Sequence, residues 1–212
     1  MKKVSLTIDG KVISTGEGDN LLQVALANGI YIPNLCYIRE RSPQAAACRL
    51  CWVGIKGRES PVNACTETAV DGMVVNTADA GARRLVLTAF ELIMASHPVD
   101  CVHCARNGSC ELQKIASRLK VKLDSGRFPK IIHHLEIDDS HPLIKYDPNK
   151  CVLCGRCVWV CREKAHEGVL GFAYRGFRRQ VTTFGGGPLA DYKCEKCRAC
   201  VGVCPAGALV LK

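Results

Sequence analysis

Two runs of cysteine constrain this chain more than any other feature. Cys151, Cys154, Cys157 and Cys161 form one C-x2-C-x2-C-x3-C unit, and Cys194, Cys197, Cys200 and Cys204 form a second. Three thiols at that spacing wrap one side of a compact inorganic core and leave its fourth corner open. Each run therefore needs a sulfur from elsewhere, and duplication supplies it, because the fourth cysteine of one run ligates the centre of the other. The spacing assigns Cys151, Cys154, Cys157 and Cys204 to one [4Fe–4S] cluster. It assigns Cys194, Cys197, Cys200 and Cys161 to a second. Pro205 follows Cys204 as the motif expects, whereas Arg162 follows Cys161 in place of a proline.

The remaining sulfur extends the pattern. The chain has 15 cysteines in 212 residues, an odd number that full disulfide pairing cannot accommodate. Disulfide frameworks belong to short secreted domains, and the start "MKKVSLTIDG" has no apolar segment of the kind that directs secretion. Cys36, Cys48, Cys51 and Cys65 are spaced C-x11-C-x2-C-x13-C. The spacing differs from the plant-type run but keeps a central C-x2-C with two outlying partners, which suits a [2Fe–2S] cluster. Cys101, Cys104 and Cys110 remain, one ligand short of a third [4Fe–4S] cluster. His97, His103 or water can complete it. His97 is favoured because it precedes the loop and can fold back, whereas His103 lies between two ligands and diverges from them. With His97 the count closes at four ligands for each of four clusters. Zinc is the competing occupant, but its sites use four ligands in two separated pairs, not two triplets that exchange a fourth.

Composition removes several function classes. The formal charge of +9 invites a nucleic-acid reading. Four oxidised clusters with these ligands would contribute about −7, so most of the basicity offsets the cofactors. Arg156, Lys196 and Arg198 are candidates to lie near cluster loops. A zinc-dependent nucleic-acid-binding protein stays as the alternative from a different class. No apolar run reaches the roughly 18 residues of a membrane span, since "LVLTAFELIMA" is interrupted by Glu91. The expected location is cytoplasmic. No Gly-rich dinucleotide turn is present; "FGGGP" lacks the strand and helix that such a turn joins. No catalytic side-chain constellation stands out. His133, His134, His141 and His166 are read as surface residues, and Trp52 and Trp159 as packing that keeps water from adjacent ligands.

The expected fold class is α+β. Residues 1–78 read as a β-grasp [2Fe–2S] domain: a hairpin turning at Asp9-Gly10, a helix capped by Asp19 and stopped at Gly29, then further strands around "RLCWVGIKG" and "DGMVVNT". Residues 79–122 read as two helices flanking the loop of Cys101, Cys104 and Cys110. Residues 123–149 read as a surface linker, and residues 150–212 as a bacterial-type two-cluster domain.

The segments "CYIRERSPQAAACRLCWVGI", "HPVDCVHCARNGSCELQ", "CVLCGRCVWVC", "YRGF" and "CEKCRACVGVCPAGAL" together carry a resemblance over essentially the whole chain. The chain resembles the N-terminal iron–sulfur module of the large iron–sulfur subunit of respiratory complex I. That module also opens NAD-linked formate dehydrogenases and multi-cluster [FeFe]-hydrogenases, and forms the small diaphorase subunit of NAD-reducing [NiFe]-hydrogenases. Electron-bifurcating hydrogenases use relatives of it. The resemblance implies a non-catalytic electron-transfer subunit with one [2Fe–2S] and three [4Fe–4S] clusters, one of them held by one histidine and three cysteines. It implies a flavoprotein NAD(H)-binding subunit and hydrogenase subunits as partners, with soluble ferredoxin as a further one, and neither nucleic acid nor a membrane span. The sequence stops eight residues after Cys204, so no active-site domain is expected beyond it.

The ligand count makes a quantitative prediction. Anaerobic reconstitution should yield about 14 iron per chain and no zinc requirement. Iron and sulfide assays that settle near 4 to 6 iron, with zinc supplying the rest, would contradict it.

Overall fold

The computed structural model describes residues 2–124, 126–192, 194 and 197–212, and Lys196 lies outside the described residues. The chain divides into two units, Met1–Phe90 and Glu91–Lys212.

In the first unit, alternation of apolar and polar residues builds a hairpin from β1 (Lys3–Ile8) and β2 (Lys11–Gly16). Val4, Leu6 and Ile8 are buried while their neighbours are not. Asp9 and Gly10 both take positive φ, 49° and 81°, the geometry a two-residue hairpin turn demands. Helix α1 (Leu21–Ala27) follows and buries Leu21, Leu22, Val24 and Ala25. Its cap is Asn20, whose side chain accepts from Gln23 N at 3.2 Å. The sequence reading had placed the cap at Asp19. That carboxylate instead accepts from the Thr15 hydroxyl at 2.5 Å and from Gly16 N at 2.8 Å, closing the end of β2. These bonds hold its acid below the usual carboxylate range. The helix gives way at Asn28, followed by Gly29 with φ +77°.

Three short strands complete the sheet: β3 (Trp52–Ile55), β4 (Val62–Asn63) and β5 (Val74–Asn76). The strand order is β2-β1-β5-β3-β4, with β1 and β5 parallel and the other pairs antiparallel. The apolar core under this sheet includes Cys51 and Cys65, so two candidate ligands are also core residues. Asp79 then caps α2 (Ala80–Ala95) by accepting from Ala82 N at 2.8 Å. Ala82, Val86, Phe90 and Met94 form a buried stripe one turn apart.

The second unit has little regular structure. Helix α3 (Glu111–Leu119) buries Leu112, Ile115 and Ala116. Strand β6 (Ile144–Tyr146) comes from the stretch read as a linker and pairs with β9 (Leu209–Leu211). Between these lie α4 (Arg156–Glu163), the hairpin of β7 (Leu170–Ala173) and β8 (Gln180–Thr183), and α5 (Ala199–Val203). The core here includes Cys157, Cys161 and Cys204 together with Ile144, Val169, Leu170 and Leu209. Among the described residues, no helix is long and apolar enough to cross a membrane.

The two roles of Asn20 make it testable. Besides capping α1, it donates from Nδ2 to the carbonyl of Cys65 at 2.7 Å. Asn20→Ala should destabilise the first unit by about 1–2 kcal/mol in denaturant unfolding, and a change below about 0.3 kcal/mol would show the cap to be dispensable.

Candidate iron–sulfur ligand sites

No cysteine is in a disulfide, and the thiols gather in groups. Cys36, Cys48, Cys51 and Cys65 are all at most 9% exposed. Cys36 and Cys48 lie 3.4 Å apart, sulfur to sulfur. Contact with Cys48 draws the Cys36 thiol down to about 6, while the same contact and burial push Cys48 up. Cys51 and Cys65 form a second such couple, with Cys51 raised and Cys65 lowered. Two couples of sulfurs, each couple able to carry a thiolate, fit a core of two metal ions with two thiolates on each. The loop that carries them is held by its own backbone: Leu35 N points at the Cys48 sulfur at 3.5 Å, and Ala64 N donates to the Cys51 carbonyl at 2.8 Å. Trp52 is half-buried beside this group, with the Arg49 guanidinium 5.9 Å from its ring.

In the second unit, Cys101, Cys104 and Cys110 line one small cavity with His97. His97 is buried, and its Nδ1 has no hydrogen-bond partner. Burial pushes the imidazole down to about 4, so the ring is neutral with a free lone pair, the form a metal ligand requires. His103 points elsewhere. Its side chain is exposed, with Nδ1 2.9 Å from the Asp100 carboxylate. An orphaned nitrogen facing three thiols fits a [4Fe–4S] cluster with one nitrogen ligand.

A second cavity is lined by Cys151, Cys154, Cys157 and Cys204. Burial pushes the Cys151 and Cys154 thiols up, to about 11 and about 12, and raises Cys157 further. Burial again raises the Cys194 and Cys200 thiols, and the charges of Cys161 and Cys197 act on both in the same direction. Burial disfavours the thiolate, and a cationic core bound to such a set would deprotonate it. The last cysteine of the second run, Cys204, lines the cavity of the first run. The local cause is the C-x2-C-x2-C turn: Gly155 with φ +73° and Leu153 with φ +54° fold the first run around its cavity before α4 begins. Trp159 on α4 is half-buried under the Lys164 ammonium, 5.6 Å from the ring.

The cavities of His97 and of Cys204 share a wall. Ala206 lines both, and the adjacent Lys150 and Cys151 line one each. Arg106 donates to the Cys204 carbonyl at 2.8 Å, and Glu111 N donates to the Pro205 carbonyl at 3.1 Å. Gly207 has φ +72°, and a Cβ there would stand 2.8 Å from Arg106 Cγ and 3.3 Å from the Cys104 sulfur.

Of the other histidines, His134 and His166 are exposed and His133 is half-buried. His141 is not a surface residue as the sequence had suggested. It is 1% exposed, because the turn before β6 folds its ring inward, with Nε2 3.9 Å from the Cys194 sulfur. Sequence spacing held no sign of this, since the contact spans 53 residues.

Comparison with known proteins matches three family models along the chain. A 2Fe-2S iron-sulfur cluster binding domain matches residues 1–80. The NADH-ubiquinone oxidoreductase-G iron-sulfur binding region matches residues 87–123, and the ferredoxin-like domain of NADH-quinone oxidoreductase subunit 3 matches residues 141–210. The chain is 37% identical to the NADP-reducing hydrogenase subunit HndD of Solidesulfovibrio fructosivorans, over 99% of this chain and 36% of that protein. It is 30% identical to the NAD-reducing hydrogenase HoxS subunit gamma of Cupriavidus necator, over 99% of this chain and 87% of that one. A chain in the crystal structure of an NAD+-reducing [NiFe]-hydrogenase in the H2-reduced state superposes with a TM-score of 0.88 at 30% identity, covering 99% of this chain and 87% of that chain. Against HndD and the NADPH-Fe(3+) oxidoreductase subunit alpha of Geobacter sulfurreducens, this chain spans only 36% and 24% of the relative's length.

The shared wall yields a prediction. Gly207→Ala forces a β-carbon against Arg106 in a left-handed conformation and should cost more than about 1 kcal/mol in unfolding of the second unit. Unaltered stability would show that the wall relaxes freely.

Proposed function

Because this chain belongs to the family that includes the gamma subunit of the HoxS NAD-reducing hydrogenase, we propose that it is an electron-transfer subunit that relays single electrons between a flavoprotein subunit that handles NAD(H) and a hydrogenase subunit of the same complex. The observation that carries this reading is that His97, Cys101, Cys104 and Cys110 line one cavity and Cys151, Cys154, Cys157 and Cys204 another, while Cys36, Cys48, Cys51 and Cys65 are all buried. Bound in those groups, one [2Fe–2S] and three [4Fe–4S] clusters would supply reversible one-electron chemistry. The chain's own residues bury the sulfurs, exclude water and fix the ligands' orientation.

In this assignment Cys36, Cys48, Cys51 and Cys65 hold the [2Fe–2S] cluster. His97, Cys101, Cys104 and Cys110 hold one [4Fe–4S] cluster, Cys151, Cys154, Cys157 and Cys204 a second, and Cys161, Cys194, Cys197 and Cys200 a third. The wall shared through Ala206 supports a through-protein path between the first two of these [4Fe–4S] sites. The chain itself turns over no substrate, works in the cytoplasm, and has soluble ferredoxin as a further partner. The matches to the iron-sulfur binding region of NADH-ubiquinone oxidoreductase-G and to NADH-quinone oxidoreductase subunit 3 support a second reading, in which the same module serves a complex I-like enzyme; a formate-oxidising complex is the variant of that reading that the resemblance implies.

Anaerobic purification of the complex from its host tests the reading. A flavoprotein should co-purify, and NADH should bleach the broad visible absorption of this chain only when that flavoprotein is present. A colourless, zinc-loaded chain that binds nucleic acid would replace the proposal with the alternative class.

One ligand can be tested directly. His97→Cys exchanges a neutral ligand for an anionic one, adds a negative charge and should lower the potential of that centre, the reverse of the histidine effect in Rieske clusters. His103→Ala should leave it unmoved. EPR-monitored redox titration reads both; loss of the centre in His103→Ala, with no shift in His97→Cys, would reassign the ligand.

A further inference from the structure

His141 is a buried imidazole that the ligand count leaves unused. Its Nδ1 accepts from two backbone N–H groups, Leu143 at 3.1 Å and Ile144 at 3.2 Å. A ring nitrogen that accepts carries no proton, so the neutral ring holds its proton on Nε2. That nitrogen lies 3.9 Å from the Cys194 sulfur, within reach of a long N–H···S contact. The turn before β6 thus aims a donor of fixed tautomer at one sulfur. Among the described residues, the Cys194 N–H donates to the Tyr192 carbonyl at 2.8 Å and the Cys197 N–H to the Cys194 carbonyl at 2.9 Å. Cys204 and Cys48 each receive a backbone N–H at 3.5 Å, from Leu209 and Leu35, so contacts of this length to ligand sulfurs recur in the fold.

We propose that His141 is a positioning residue that donates its Nε2–H to the Cys194 sulfur and thereby raises the reduction potential of the centre held by Cys161, Cys194, Cys197 and Cys200. The inference rests on the ligand assignment above. Reduction of that centre adds one electron and therefore one unit of negative charge, with no bond made and no proton moved. A donor aimed at a ligand sulfur stabilises the added charge, and hydrogen bonds to sulfur are among the factors that set such potentials. The imidazole end of this contact is buried, whereas the sulfur is half-buried.

A role confined to capping the turn is the rival explanation, and His141→Asn separates the two. The asparagine oxygen can accept from the backbone N–H groups two and three residues on, so the turn keeps its cap, while the shorter side chain cannot reach Cys194. Using the full chain reconstituted anaerobically, EPR-monitored titration of His141→Asn should move one centre to lower potential. At the wild-type midpoint its reduced-to-oxidised ratio should fall about fivefold, the strength of one ordinary hydrogen bond. The other three centres should stay in place. A wild-type potential in His141→Asn overturns the proposal, as does a shift confined to His141→Ala. A measurement on the unmutated protein guards against a variant that sheds iron. Pulsed EPR of wild type labelled with 15N-histidine should show a weak nitrogen coupling at this centre besides that of the centre bound by His97, and its absence also overturns the proposal. Wild type without iron–sulfur signals would instead overturn the ligand assignment itself.

Discussion

Thiols packed into apolar surroundings are the constraint on which the second unit depends. Left as thiols they are ordinary small core residues; as thiolates they repel one another in a medium that screens little. The pairs β6–β9 and β7–β8 are each only two strands, too little sheet to hold a fold alone. Cys157, Cys161 and Cys204 stand in the core where a larger protein would place leucine or valine. Binding of a cationic core to such a set is therefore folding energy as well as function. The first unit is less dependent, since its five-stranded sheet buries Leu6, Ile8, Val53 and Leu22 whatever occupies the cysteine loop.

The same constraint accounts for the basic balance of the chain. The proposed clusters, anionic together with their thiolate ligands, would offset most of the formal +9. Near the cavities the positive groups are placed by backbone contacts as well as by charge. Lys150 lines the His97 cavity, and Arg106 spans from the loop of Cys104 to the carbonyl of Cys204. Each fixes a loop while it balances a charge.

What could be read in advance followed the range of the interaction. The Asp9-Gly10 turn, the apolar face of α1 and the stripe of α2 are set by residues a few positions apart, and they form where alternation and helical spacing place them. Cysteine spacing was legible for a related reason, because a cluster's size fixes the loop that can wrap it. The helix cap was misplaced by one residue, because whether Asp19 or Asn20 serves depends on Thr15 at the end of the preceding strand. The stretch 123–149 looked like a linker because β6 is short and bounded by prolines, and its partner β9 lies more than sixty residues away. His141 was illegible for the same reason: a lone histidine acquires meaning only from what the fold brings to it.

The gathering of Cys204 with Cys151, Cys154 and Cys157 also bears on the order in which the protein is made. A ribosome delivers the first three of these sulfurs together and the fourth only some fifty residues later. The partner site begins with Cys161 and waits for Cys194, Cys197 and Cys200. In the proposed assignment neither set is complete until Cys200 and Cys204, four residues apart, have both been added. A chain paused between Cys161 and Cys194 carries the four thiols of its first run without the Cys204 that lines their cavity in the fold. Thiols in that state are open to oxidation and to non-native disulfides.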